Sequence, residues 1–195
     1  QRIIFNGDNY SEDWPTEAER RGLLNLKATP DALPQYVAKE SIELFEKFKV
    51  LSKVEVESRY EVKLEHYSKK VNIEGLTTAR LARRQYLPAI IEFSTTVANA
   101  IEAKEDAGVP ATRAEKDVLI KLNTCIDAIY DGVIALEKEI EAASQTADSL
   151  ANARAFCDKV LPAMDVVRAA VDEAELLVGD DYWPVPTYNE MLFYT

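Results

Sequence analysis

The sequence predicts a mainly α protein: a long antiparallel bundle of three to four helices, with a short N-terminal strand and turn segment and an aromatic C-terminal tail. Three observations predict it. Two separate segments carry apolar residues at alternating spacings of three and four, the period of one helix face. Ser/Thr-x-x-Glu capping boxes stand where two helical patterns begin, so hydroxyl and carboxylate each satisfy an orphan backbone donor. The breakers between the long patterns are short, so successive helices must run antiparallel.

Arg2-Ile3-Ile4-Phe5 is β-prone and runs into the turn-forming Asn6-Gly7-Asp8-Asn9. It is expected to be a short strand whose partner is not visible in the chain. Ser11 or Asp13 is expected to cap a short helix containing residues 17–21, with Gly22 as its stop. Thr29-Pro30-Asp31 opens a helical turn with Pro30 at the tolerated first position, and Pro34 is expected to limit it. Residues 41–48 read as an amphipathic helix with Ile42, Leu44, Phe45 and Phe48 apolar.

Ser52-Lys53-Val54-Glu55 is the first capping box, starting a helix expected to reach about Lys70. Residues 71–75 are expected to interrupt it, because Gly costs about 1 kcal/mol relative to Ala inside a helix. The pattern resumes to Asp106, clearest at Leu87, Ile90, Ser94, Val97 and Ile101, and Gly108-Val109-Pro110 ends it. Thr112-Arg113-Ala114-Glu115 is the second box. Behind it run Leu119, Leu122, Ile126, Ile129, Val133, Leu136, Ile140 and Ala143, a stripe that must be buried against other helices. After a break at Ser144-Gln145-Thr146, with Thr146 or Ser149 as cap, a last stripe follows. It comprises Leu150, Ala153, Cys157, Val160, Met164, Val167, Val171, Ala174 and Val178, with Gly179 as the stop. Pro162 inside it predicts a kink. Three helices of about 30 residues would each span about 45 Å, with the helix after Ser52 as a fourth contributor.

Residues 180–195 hold five of the chain's 17 aromatics, and Pro184 and Pro186 forbid a regular helix across their start. Aromatics at that density need a docking surface, either the groove of their own bundle or a neighbouring subunit.

The chain has 195 residues and a formal net charge of −11, distributed unevenly. Residues 1–72 carry 12 basic and 13 acidic side chains, residues 73–195 carry 11 and 21. A phosphate backbone needs a basic face, so nucleic-acid binding by the acidic part is excluded as an expectation, and anionic lipid is repelled. No apolar run approaches the ~18 residues of a membrane span.

Little reactive chemistry is written here. Cys125 and Cys157 form no close-spaced pair and read as small buried residues. The absence of a disulfide framework favours a reducing compartment. His66 is the one histidine, in the polar stretch Glu65-His66-Tyr67, and is expected to be solvated. The six glycines form no phosphate loop. Arg80, Arg83 and Arg84 are the one basic cluster; they could grip a phosphate or carboxylate, but acidic neighbours are the expected partners. Asp180-Asp181 with Glu173 and Glu175 could hold a hard cation, without the spacing of a calcium loop. The residues alone therefore point to no catalytic, cofactor-binding or metal site. Gln1 in place of Met and the unpartnered strand read as signs of a piece of something longer.

Four strings carry a resemblance: RIIFNGDNYSEDW from residue 2, EAERRGLLNLK from 17, SRYEVKLEHYSKKVNIE from 58 and YWPVPTYNEMLF from 182. Together they resemble the C-terminal region of type III glutamine synthetases. Residues 31–65 are also similar to the closing helical segment of the general glutamine synthetase catalytic domain. The resemblance implies three parts: 1–72 as the end of the catalytic domain, 73–179 as a helical bundle extension and 180–195 as an aromatic docking tail. It implies that the intact chain is a cytoplasmic, bacterial-type glutamate–ammonia ligase using ATP and Mg²⁺ or Mn²⁺ through a γ-glutamyl phosphate. Its partners would be its own catalytic domain and the neighbouring subunits of a ring-forming homo-oligomer, a dodecamer. The family's metal ligands, glutamate loop and catalytic arginines lie upstream, so no catalytic residue transfers to this chain, and Asn6-Gly7 is not the glutamate-binding loop. The piece is expected to be a non-catalytic structural and assembly domain with no cofactor of its own. The alternative is an independent acidic helical interaction module that recruits a basic partner.

Overall fold

The computed structural model describes residues 3–186 and 188–193. Its chain divides into two compact units, residues 1–67 and 68–195. Among the described residues the regular structure is helical throughout, and none lies in a β-strand.

The first unit contains α1 (Asp13–Arg20), α2 (Thr29–Tyr36) and α3 (Lys39–Lys47), and α4 (Lys53–Leu81) begins in it. The expected strand does not form: residues 3–5 find no ladder partner and are held by side chains instead. Arg21 donates from Nη1 to the carbonyl of Ile4 at 2.7 Å, and the Phe5 ring packs 4.9 Å from that of Trp14. Neither expected cap starts α1; the boundary is Glu12, with no side-chain cap. The Ser11 hydroxyl is used elsewhere, donating to the carbonyl of Asp8 at 2.8 Å within the Asn6–Asn9 turn. Gly22 stops the helix as expected, at φ +68°, a conformation that excludes most side chains. Pro30 sits in the first turn of α2, but Pro34 lies inside it rather than ending it. A two-turn helix forfeits one bond there and still closes.

The first capping box is present: Ser52 N–H donates to Glu55 Oε2 at 2.7 Å, and Glu55 N–H to Ser52 Oγ at 3.4 Å. The interruption expected at 71–75 is absent, and α4 runs straight through Gly75. A Cβ placed on Gly75 would stand 2.9 Å from Ile140 Cδ1 and 3.3 Å from Val160 Cγ1. Close helix packing, not a helix break, is what this glycine serves.

After α4 comes one π turn, Ala82–Tyr86, and then α5 (Leu87–Asp106). Leu87 N–H reaches back five residues to the carbonyl of Ala82. The extra residue enclosed by a π turn shifts the buried stripe by one position. Val71, Gly75, Ala79 and Ala82 bury in one phase, and Leu87, Ile90 and Ser94 continue in the shifted phase. Pro88 follows directly, where its missing N–H falls beside the widened turn.

α6 (Arg113–Ser144) starts with the second capping box, complete in both directions. Its expected stripe buries Leu122, Ile129, Val133, Leu136, Ile140 and Ala143, and Cys125 and Gly132 join it. The next N-cap is neither Thr146 nor Ser149 but Asp148, whose Oδ1 accepts from Ala151 N–H at 2.8 Å. α7 (Ser149–Ala155), a second π turn (Phe156–Val160) and α8 (Leu161–Glu175) complete the third arm. Here too a proline, Pro162, stands two residues past a π turn, and Leu161 N–H bonds the carbonyl of Phe156. The helix ends at Glu175, before Gly179, while Val178 is still buried. Within the second unit α6 packs against both α5 and α8, giving the three-arm bundle the stripes require.

Candidate functional site

The aromatic tail docks in part on its own bundle. A 3₁₀ turn, Asp180–Tyr182, brings Tyr182 edge-on to Phe93, with ring centroids 5.2 Å apart. The Tyr182 hydroxyl lies 3.2 Å from that of Thr96. Trp183 is only 9% exposed and packs on Tyr86 at 5.2 Å. Its indole Nε1 is buried without a hydrogen-bond partner. A short helix α9 (Tyr188–Leu192) follows. Met191, Leu192 and Phe193 are exposed at 55%, 71% and 63%. Tyr194 lies outside the described residues, and the side chain of Tyr188 likewise.

Tyr86 and Phe93 form the platform for the tail, and the sequence reading missed both. Their separation of seven residues was the available signal, since it puts them on one helix face. Tyr86 also lines a groove of about 380 Å³ between the α4 end and α8. Leu81, Met164 and Val171 give it apolar walls, while Asp165, Arg168 and Asp172 give it a charged rim. Burial raises the Tyr86 hydroxyl above its ordinary value, with the nearby carboxylates of Glu175 and Asp172 adding to the shift.

Arg80, Arg83 and Arg84 divide. Arg83 forms a two-bond pair with Glu137 of α6, at 3.0 and 2.6 Å, so the expected acidic partner exists. Its guanidinium is held above its ordinary pKa chiefly by that hydrogen bonding. Arg80 and Arg84 are exposed and have no ion-pair partner among the described residues. The α5–α6 corner is clamped by Lys104 with Glu115 and by Lys116 with Glu105 at 3.7 Å. Hydrogen bonds from Lys104 and from Thr112 lower the Glu115 carboxyl to about 2.

The remaining candidates are not brought together. Among the described residues no group of three or more His, Cys, Asp or Glu side chains gathers as a metal site. His66 is exposed. Cys125 is buried, and burial followed by the charge of Glu173 raises its thiol pKa, the reverse of what a nucleophile needs. Cys157 is half-buried. Asp180 and Asp181 shape the 3₁₀ turn. No helix among the described residues is long and apolar enough to cross a membrane.

Comparison with known proteins fits this picture. A family model for the glutamine synthetase C-terminal domain matches residues 1–105. A glutamine synthetase of Butyrivibrio fibrisolvens is 34% identical over 194 residues, covering 99% of this chain and 28% of that protein. A type-3 glutamine synthetase of Dictyostelium discoideum is 33% identical over 201 residues (98% and 27%). A glutamine synthetase of Bacteroides fragilis is 31% identical over 196 residues (98% and 27%). The chain thus spans 27–28% of the length of these relatives. With its helical fold and nearly end-to-end similarity to them, the chain belongs to the glutamine synthetase C-terminal domain family.

Proposed function

We propose that the chain is the non-catalytic C-terminal part of a glutamine synthetase and acts in its structure and assembly. The observation that carries this reading is the alignment itself: glutamine synthetases match 98–99% of the chain, which accounts for little more than a quarter of each. The intact enzyme would join glutamate and ammonia with ATP hydrolysis, using Mg²⁺ or Mn²⁺ held elsewhere in the polypeptide. It would work in the cytoplasm as a ring-forming homo-oligomer, a dodecamer, in organisms that include bacteria. Residues 1–72 would close the catalytic domain, 73–179 extend it as a bundle, and 180–195 secure the packing.

Exposed apolar side chains support a covering partner for the first unit. Ile3, Ile4, Phe48, Val50 and Val54 are 58–76% exposed, and exposed apolar side chains that gather into a large patch mark sites covered by other protein. The test is to delete residues 73–195 from the full-length enzyme and measure particle size and γ-glutamyl transfer. Smaller particles are expected. Unchanged size together with unchanged activity would remove the assembly role.

A further inference from the structure

The buried face of α4 carries two polar side chains one helical turn apart. Val71, Gly75 and Ala79 are buried along it, and so is Ser68, at 7% exposure. Asn72 is half-buried, with its amide oxygen inside. Ser68 and Asn72 stand at i and i+4, so their side chains are neighbours, with Cβ atoms about 5–6 Å apart. Neither Ser68 Oγ nor Asn72 Oδ1 has a hydrogen-bond partner in the protein, and so they do not bond each other.

Other helical hydroxyls of the chain satisfy themselves locally. Those of Thr78, Thr95, Thr96 and Thr124 each donate to the carbonyl four residues back, at 2.9–3.2 Å. Ser94, the other buried serine among the described residues, donates to the carbonyl of Ile91 at 2.8 Å. Ser68 has the same kind of acceptor behind it on α4 and does not take it.

A buried oxygen without a partner loses the hydrogen bonds that water gave it in the unfolded chain. Two such oxygens on adjacent turns, not bonded to each other, are matched by one molecule that accepts from one and donates to the other. The amide oxygen can only accept, whereas the serine hydroxyl can donate. Water fits both, and an internal water needs at least two polar partners. We infer that an ordered internal water bridges Ser68 Oγ and Asn72 Oδ1, accepting from the first and donating to the second. The bridge makes these side chains one unit, since neither is satisfied without the other. It stands apart from the assembly reading.

A double-mutant cycle on the 195-residue chain tests it, by urea unfolding of Ser68→Ala, Asn72→Ala and the double variant. The cycle cancels the helix propensity that alanine adds. Removing either side chain takes a partner from the water and leaves the other oxygen bare. The second substitution should therefore reduce the folding equilibrium constant about fivefold less in the presence of the first than in wild type. A crystal structure of the full-length polypeptide gives the direct reading, with density for one water within hydrogen-bonding distance of both oxygens. Additive effects of the two substitutions overturn the inference. So does density in which Ser68 and Asn72 bond each other or other protein groups with no water between them, even where the cycle is non-additive.

Discussion

Trp183 and Tyr86 pack ring against ring at 5.2 Å, 97 residues apart in sequence, and this contact ties the start of the tail to the first π turn. The indole is buried against that ring, but its N–H finds no acceptor. Packing and polarity therefore oppose each other at one side chain. Trp183→Ala should destabilise the second unit by about 3 kcal/mol through lost aromatic burial. Trp183→Phe keeps a ring on Tyr86 and removes the orphan donor, whose desolvation costs about 1–3 kcal/mol, so it should cost far less than the alanine. Urea unfolding followed by circular dichroism reads both. Equal losses in the two variants would mean that the ring contact does not hold the tail.

Truncation after Gly179 removes Tyr182 and Trp183 together. Its stability loss should match or exceed that of Trp183→Ala, because the Phe93 and Thr96 contacts go as well. An unchanged melting curve and unchanged sedimentation would show that the tail docks on nothing.

Gly75 sets up a second contest. Gly75→Ala gains about 1 kcal/mol of helix propensity, but its methyl meets Ile140 Cδ1 at 2.9 Å. Overpacking of a closed core costs about 1–3 kcal/mol, so the single change should be destabilising by roughly 1 kcal/mol net. Ile140→Val removes the atom in the way. In that background Gly75→Ala should become neutral or stabilising, and a double-mutant cycle measures the reversal. Simple additivity would place the constraint somewhere other than this contact.

Glu115 makes the α5–α6 corner sensitive to acid. Its carboxyl is lowered from 4.5 to about 2 by Lys104 and Thr112, so the folded state favours the ionised form. The stabilisation it provides is present above about 4.5 and is lost as pH falls from there through about 2. The thermal midpoint of wild type should exceed that of Glu115→Gln at neutral pH, and the gap should close across that window. A gap that stays constant down to pH 2 would contradict the assignment.

Activity offers a separate check. If the catalytic groups lie in the rest of the longer polypeptide, as proposed, the isolated chain, which spans 27–28% of its relatives' length, should show no γ-glutamyl transfer and no ATP hydrolysis. Measurable turnover would place catalysis within these residues.

The sequence by itself determined the helical class, the two capping boxes at Ser52 and Thr112, the buried stripe of α6 and the family. These are local or periodic properties, carried by residues a few positions apart along one helix. The acid step at residue 73 was also plain from counting, as was the pairing tendency of Arg83. Only the tertiary structure decided the rest. Gly75 resembles a helix breaker until Ile140 and Val160 are seen against it, since propensity describes an isolated helix and close packing belongs to the pair. The π turns before Pro88 and Pro162 were hidden because a one-residue phase shift in the buried stripe shows only when burial is known on both sides of it. The N-terminal β-prone run stayed irregular for want of a ladder partner. Where the tail would settle was equally undetermined by its own residues: aromatic density demands a surface, but the seat formed by Tyr86 and Phe93 exists only once the bundle has folded.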